Sequence, residues 1–399
     1  MSEIVRRKGA MIALLLTVFI DMVGFGIIIP FMPFWAEHYD ATPDMVTLLF
    51  ATYSAVAFVF SFLWGWASDR WGRKPVLLLS LMGSVMSFLW LGFADALWML
   101  FAARALGGVF GANITVAQAY IADVTEPEDR ARGMGLMGAA FGMGFVIGPA
   151  IGGLLAGPDA ANPDFRTPFL VAAGVSFVGV LTGLIFLREP DRHRPPETSR
   201  NLIQRLRSFA LVIAHPAVAM PVLVLVIMGF AMAGLESTFA LWTERAHGWG
   251  PRETGYFFGF IGIMLVIVQG GIVGKAVRRF GEARVAPFGA FAMMIGIGMV
   301  PWCSSVELIL ISGALIVLGY GLGNPSLNGL VSRNAPDHIQ GAVLGASQSA
   351  QALCRVFGPI TAGALFAAFG PDMPYYVGGA ILAVAGLAAL RLKQPADES

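Results

Sequence analysis

Ionisable side chains lie deep inside several long apolar runs of this 399-residue chain. At about 1.5 Å per helical residue, Asp21 is about 16 Å along the first run, and Arg104 in the fourth run is about 20 Å from the same membrane face. Burying an ionised group in a bilayer costs a few kcal/mol, so such residues are candidates for function. We expect the two side chains to face one cavity, where Arg104 alters the proton affinity of Asp21. The alternative is a static ion pair that joins two helices.

Two further charges, Glu236 and Arg355, fall in later apolar runs. Glu236 either lines a cavity or extends toward the outer surface. Arg355 binds an anionic group, binds lipid, or packs against backbone carbonyls. Amide side chains in the runs either line the same cavity or form interhelical hydrogen bonds. Together with the two charges, these amides make up the candidate substrate cavity: Asn113, Gln118, Gln269, Asn324, Asn328, Gln348 and Gln351.

The composition indicates a membrane-spanning fold for these residues. Hydrophobic residues make up 57% of the chain and charged residues 13%, and the mean hydropathy is +0.73. Soluble proteins are about 45–50% apolar, and runs of roughly 20 apolar residues cross a bilayer as helices. The sequence therefore predicts an all-α membrane protein with twelve transmembrane helices: 10–34, 44–67, 75–93, 97–120, 134–156, 168–187, 217–242, 256–273, 285–302, 308–331, 342–366 and 375–390.

Several other classes of protein are excluded. A net charge of +1 gives no footprint for nucleic acid, and Cys303 and Cys354 alone cannot build a disulfide framework or a metal site. Walker A, H-E-x-x-H and G-x-S-x-G patterns are absent from the sequence, and the G-x-G-x-x-G of residues 133–138 lacks the preceding strand of a dinucleotide site. We therefore expect that the protein is not an enzyme and that it binds no metal and no cofactor.

The predicted spans fall into two similar halves. Lys and Arg in the short loops concentrate on one side, which places both termini in the cytoplasm. The longest loop divides the chain into an N-terminal six-helix bundle (1–187), a cytoplasmic linker (188–216) and a C-terminal six-helix bundle (217–399). The loop motif at 65–72 returns in altered form at 274–281, and Gly148-Pro149 returns as Gly358-Pro359. The repeats predict two pseudo-symmetric bundles, an arrangement in which transporters bind substrate between the halves.

Four motifs resemble those of the major facilitator superfamily and lie in the corresponding spans. They are the loop after span two (Gly65, Asp69, Arg70, Gly72, Arg73, Lys74), Arg104 with Gly108 in span four, Gly144, Gly148, Pro149, Gly152 and Gly153 in span five, and Asp21-x-x-Gly24 followed by Pro30 in span one. The span-five motif is similar to that of drug–proton antiporters. Within their twelve-helix branch, the chain resembles the tetracycline exporters, although its predicted span nine lacks the acidic residue that they carry there.

This resemblance implies a secondary active transporter of the bacterial inner membrane that exports a hydrophobic or amphipathic, drug-like molecule in exchange for protons by alternating access. Asp21 and Arg104 would couple the proton, and the loop motif with Asp123 would form a cytoplasmic gate in which Arg73 pairs with Asp123. The alternative is a proton-coupled symporter or uniporter for a small metabolite. We expect a monomer in the lipid bilayer, driven by the proton gradient without a cofactor.

The second copy of the loop motif differs at one informative position. Arg278 stands where the first copy has Asp69. We therefore expect the second half to lack the gate contact of the first.

Overall fold

The computed structural model of the chain describes residues 3–111, 113–125, 127–157, 163–190, 212, 215–336 and 339–394, and the side chains of residues 3–8, 113, 114, 127–132 and 141 fall outside this description. Every regular element in the described chain is a helix, as the run lengths predict. Eleven helical segments of the described chain are long and apolar enough to cross a membrane. The apolar helix Met373–Ala389, with 17 residues, lies where the twelfth span is expected.

Contacts divide the chain into two compact units. The first unit consists of Met1–Ala41, Thr52–Ser199 and Thr243–Gly262, as far as these residues are described. Its helices are α1 (Glu3–Ile28), α2 (Met32–His38), α3 (Pro43–Trp71, whose first residues belong to the second unit), α4 (Arg73–Gly92), α5 (Leu97–Phe110), α6 (Asn113–Val124), α7 (Pro127–Leu155) and α8 (Arg166–Phe186).

The second unit consists of Thr42–Ala51, Arg200–Trp242 and Ile263–Ser399, again as far as described. Its helices are α9 (Pro216–His247), α10 (Pro251–Ile267), a π-helical turn (Val268–Ile272), α11 (Val273–Phe280), α12 (Glu282–Met299), a 3₁₀ turn (Val300–Trp302), α13 (Val306–Asn334), α14 (Gln340–Phe369) and α15 (Met373–Ala389). The end of α9 and most of α10 belong to the first unit. The division at 1–187, 188–216 and 217–399 stays a prediction, and linker residues 191–211, 213 and 214 lie outside the described part.

Local backbone chemistry corrects three span boundaries. The first predicted span is split, because Pro30 and Pro33 lack an amide hydrogen and disfavour helix in the preceding residue, so that α1 ends at Ile28. The fourth is interrupted after Phe110 and resumes as α6. The ninth begins at Glu282 rather than at residue 285, which brings a carboxylate into the first turn of α12.

Close packing in the first unit depends on the glycines of α7. Gly144 lies against Met22, Gly148 against the backbone of α1, and Gly152 against Ile27. A Cβ atom added to Gly148 would lie only 2.7 Å from the carbonyl oxygen of Val23. The stripe of small residues therefore brings α1 and α7 to backbone contact, which fixes the position of Asp21 on α1.

In the second unit, α9 and α14 are in equally close contact. A Cβ atom added to Gly358 would lie 2.8 Å from the carbonyl oxygen of Phe230, and one added to Gly234 would lie 3.2 Å from the Cβ of Ala362. These contacts set the register between α9, which carries Glu236, and α14, which carries Arg355.

Candidate functional site

Asp21 and Arg104 line one small cavity inside the first unit. Only 4% of Asp21 and 5% of Arg104 is exposed. The cavity has a volume of about 30 Å³ and lies between α1, α3, α4 and α5. Its full lining is Asp21, Met22, Phe25, Tyr53, Ser84, Ser87, Phe88, Arg104, Gly107 and Gly111.

Tyr53 and the glycines of α5 hold Arg104 in place. The Cζ atom of Arg104 lies 4.4 Å from the centroid of the Tyr53 ring, within the range of a cation–π contact. A Cβ atom added to Gly108 would lie 2.7 Å from the backbone oxygen of Tyr53. Gly108, one helical turn after Arg104, therefore lets α3 approach closely enough for the tyrosine ring to reach the guanidinium.

The size of the cavity limits what it can hold. A water molecule needs roughly 10–15 Å³ of such space, so about two waters fit. Pockets for drug-sized ligands are typically about 300–1,000 Å³. The Asp21–Arg104 cavity can therefore exchange protons with water, but a bulky substrate must bind elsewhere.

The predicted gate residues form an ion-pair cluster around Arg73. Arg73 donates from Nε to Asp123 Oδ2 at 2.8 Å, from Nη1 to Asp69 Oδ1 at 2.6 Å and from Nη1 to Ser68 Oγ at 2.6 Å. Arg70 instead points to the Trp66 ring, with 5.6 Å between Cζ and the ring centroid. Gly65 has open space where a Cβ would lie, so close packing does not account for that glycine.

The beginning of α4 has an acceptor that the motif did not reveal. Glu189, which follows α8, accepts hydrogen bonds from the backbone amides of Arg73 at 2.6 Å and Lys74 at 2.9 Å. Gly72 has φ +115° and ψ +153°, a conformation almost confined to glycine. A Cβ at Gly72 would also lie 2.9 Å from the Glu189 carboxylate. Gly72 therefore has two roles. It adopts the backbone conformation of the bend, and it leaves space for the Glu189 carboxylate.

Gln394 plays the corresponding part in the second unit. It follows α15, and its Oε1 accepts from the backbone amide of Ala283 at 3.2 Å, at the beginning of α12. Gly281 precedes that helix with φ +78°, and a Cβ there would lie 2.6 Å from Gln394 Oε1. The segment after α8 thus caps α4, and the segment after α15 caps α12, the two helices that follow the copies of the loop motif.

The second copy of the loop motif also carries an ion pair that was not expected. Since Gly72 corresponds to Gly281, Arg73 corresponds to Glu282, and Asp123 corresponds to a position beside Arg333. Glu282 and Arg333 form a salt bridge. The contact is thus the Arg73–Asp123 pair with its charges exchanged. It does not involve Arg278, so the expectation that the second half lacks the contact made by Asp69 stays a prediction. A comparison of residue types does not detect this correspondence, because Glu282 and Arg333 have the opposite charges to Arg73 and Asp123.

Polar residues of the second unit gather around Arg355. Glu236 on α9 and Tyr320 on α13 both interact electrostatically with it. Asn324 donates to the Tyr320 hydroxyl at 3.4 Å, and Asn328 donates to the backbone and side-chain oxygens of Asn324, each at 2.9 Å.

The remaining candidates for the substrate cavity lie in different places. Gln351 is half-buried one turn before Arg355 on α14, whereas Gln118, Gln269 and Gln348 are exposed. The side chain of Asn113 lies outside the described residues. A shared substrate cavity for the whole set stays a prediction.

Sequence comparison assigns a family to this arrangement. The model of the Major Facilitator Superfamily matches residues 14–359 and, in a second match, 272–399. The chain belongs to the major facilitator superfamily. One relative is the class C tetracycline resistance protein of Escherichia coli, 31% identical over 392 residues that make up 97% of each chain. Another is multidrug resistance protein 2 of Bacillus subtilis, 28% identical over 92% of this chain and 90% of the relative.

Solved structures agree on the fold. The D-xylose–proton symporter has a TM-score of 0.76 and covers 98% of each chain at 16% identity. At that identity the likeness shows the major facilitator fold and nothing of the substrate. The predicted fold class and family are confirmed, and this family consists of multi-pass membrane transporters rather than enzymes.

Proposed function

We propose that this chain is a secondary active exporter that exchanges protons for a hydrophobic or amphipathic, drug-like small molecule. The observation that carries the proposal is the buried cavity shared by Asp21 and Arg104, which is large enough for water and too small for a drug. The relatives named for tetracycline and multidrug resistance support the direction of transport, since efflux confers resistance. A nutrient symporter or uniporter is not favoured by these relatives.

In this mechanism Asp21 carries the transported proton. Arg104 favours the ionised carboxylate when the two groups are close, so a shift of α5 relative to α1 changes the proton affinity of Asp21. Protonation from outside lowers the affinity for substrate, and loss of the proton toward the cytoplasm restores it. Alternating access of the two pseudo-symmetric bundles links these events to substrate release.

The proton gradient provides enough free energy for this exchange. One charge that crosses a potential of ~150 mV releases roughly 3.5 kcal/mol, at about 2.3 kcal/mol per 100 mV. At about 1.4 kcal/mol per tenfold change, this supports a substrate gradient of a few hundredfold.

The proposal includes a setting for the protein. We place it as a monomer in the bacterial inner membrane with both termini in the cytoplasm, since basic residues concentrate in the loops assigned to that side. Its partners are the substrate, protons and lipid, and no cofactor takes part.

The test compares wild type with Asp21→Asn. A growth-inhibition panel in an efflux-deficient host first selects an exported compound, and inverted vesicles then measure its uptake with and without a pH gradient. We expect Asp21→Asn to abolish uptake driven by the pH gradient and to retain exchange of labelled for unlabelled compound, which needs no net proton movement. Normal gradient-driven uptake by Asp21→Asn would remove Asp21 from the role.

Asp95→Asn is the matched control. It makes the same chemical change at an exposed position in the connection between α4 and α5. We expect this variant to retain both gradient-driven uptake and exchange. Loss of both activities in Asp95→Asn as well would show that the assay reports general damage.

A further inference from the structure

The group around Arg355 in the second unit contains many hydrogen-bond donors and few acceptors. Arg355 lies midway along α14, about 22 Å from its beginning at 1.5 Å per residue, and therefore deep in a bilayer. Within the described chain its guanidinium forms no hydrogen bond and no ion pair, and Glu236 acts on it only at longer range. An unpaired guanidinium at this depth is costly and usually marks a functional site.

A second donor in the same place is also unused. Gln351 precedes Arg355 by four residues, so both side chains lie on one face of α14. The amide nitrogen of Gln351 is buried and has no hydrogen-bond partner among the described residues. Buried polar atoms without a partner are uncommon, because each has lost its hydrogen bonds to water and gained none in return. The orphaned amide and the unpaired guanidinium thus point to the same missing acceptor.

Tyr320 completes the donor set from α13. Its hydroxyl oxygen accepts from Asn324, and its own hydrogen has no acceptor within the described chain. Glu236 is the nearby acidic group: the register of α9 and α14 places it roughly 9 Å further along α9 than the level of Arg355. Gln351 thus lies on the same helix face as Arg355, Tyr320 interacts electrostatically with Arg355 from α13, and the carboxylate of Glu236 lies at a different level.

We propose that Arg355, Gln351 and Tyr320 form a subsite for an anionic oxygen group of the transported molecule, such as a carboxylate. This inference rests on the proposed function and names a class of substrate: amphipathic compounds that carry an ionised acid. The guanidinium binds two oxygens side by side, and the amide and the phenol donate to the same group. Glu236 reduces the positive charge of the subsite when it is ionised, so neutralising it strengthens binding of the anion.

Binding of a matched pair of small aromatic probes tests the subsite. Salicylate and salicylamide share a ring and a hydroxyl and differ in the ionised carboxylate. Equilibrium dialysis at neutral pH measures each compound against the full chain in phosphatidylcholine nanodiscs. We expect wild type to prefer salicylate, Arg355→Gln to weaken salicylate binding at least tenfold without changing salicylamide binding, and Glu236→Gln to strengthen salicylate binding severalfold.

Two variants separate the subsite from general effects. Arg355→Lys keeps the charge without the two-pronged geometry and should lose part of the preference. Arg252→Gln removes a half-buried arginine of α10 that donates to Tyr256 at 3.1 Å, and it should bind both probes as wild type does. Equal binding of both probes by wild type, or equal losses for both in Arg355→Gln, overturns the proposal.

Lipid phosphate is the other source of an anionic oxygen group. Replacing one third of the phosphatidylcholine with phosphatidylglycerol leaves salicylate binding unchanged if the subsite serves substrate. A fall in salicylate affinity that occurs in wild type and not in Arg355→Gln would assign the subsite to lipid and overturn the proposal. Because dialysis needs no proton gradient, its outcome is independent of the vesicle test of Asp21.

Discussion

Replacing Gly72 by alanine tests the contact between Glu189 and the beginning of α4. The backbone at Gly72 has φ +115° and ψ +153°, and a residue with a side chain pays about 1–3 kcal/mol there. The new Cβ would also lie 2.9 Å from the Glu189 carboxylate, which must move away. Two hydrogen bonds to exposed backbone amides are then lost, at a cost of about 1 kcal/mol. We expect a total loss of about 3 kcal/mol for Gly72→Ala.

A double variant separates the two contributions. Glu189→Ala removes the cap alone and should cost about 1 kcal/mol. Gly72→Ala combined with Glu189→Ala should cost about 3 kcal/mol rather than the sum of about 4, because the cap is lost only once. Gly65→Ala is the matched control: it lies in the same motif, its added Cβ meets open space, and alanine favours helix, so its effect should be zero or slightly stabilising.

The two cysteines provide the assay. Cys303 and Cys354 are both buried, so a thiol-reactive fluorophore reports thermal unfolding of the purified protein in detergent. The melting temperature should fall most for Gly72→Ala and for the double variant, by the same amount, and less for Glu189→Ala. Strictly additive losses, or a Glu189→Ala variant that melts as wild type does, would refute the capping argument.

Two further contacts lead to predictions. Glu282→Gln and Arg333→Gln should each lower stability by about 1 kcal/mol in the same melting assay, since the Arg333 side chain is half exposed. The exchange Glu282→Arg with Arg333→Glu restores the pair but places each charge at a helix end that disfavours it, so it should be more stable than Glu282→Arg alone and less stable than wild type; an exchange no better than Glu282→Arg would show that charge pairing is not the cause. Gly255→Leu should separate α10 from α7 and lower the melting temperature by several degrees, since an added Cβ would lie 2.6 Å from the Cα of Gly153. Gly138→Leu, where a Cβ has open space, should melt within a degree of wild type, and equal effects at both sites would contradict the packing argument.

The sequence predicts some features of this protein because they depend on fixed helical geometry. The rise per residue placed Asp21 and Arg104 at similar depth, and the structure brings them to one cavity. Helix interruptions inside an apolar run were harder to predict from the sequence. Pro30 lies among residues that are otherwise uniformly apolar, so the pattern predicted a single span. The contacts of Glu189 and Gln394 could not be predicted, because each joins residues far apart in sequence through single hydrogen bonds that leave no periodic pattern.

The two loop motifs differ in sequence and agree in electrostatics. Arg73 places a positive charge at the beginning of α4, where the helix dipole disfavours it, and the Glu189 carboxylate supplies the negative charge that compensates. At the beginning of α12, Glu282 itself is the negative charge, and the cap is the neutral amide of Gln394. Each of these two helices therefore has one carboxylate at its beginning, Glu189 for α4 and Glu282 for α12. One ion pair then joins the beginning of α4 to the end of α6, and another joins the beginning of α12 to the end of α13. Since the attraction between two charges is unchanged when both signs are reversed, the internal repeat preserves the balance of charge at these positions even where it has lost the residues.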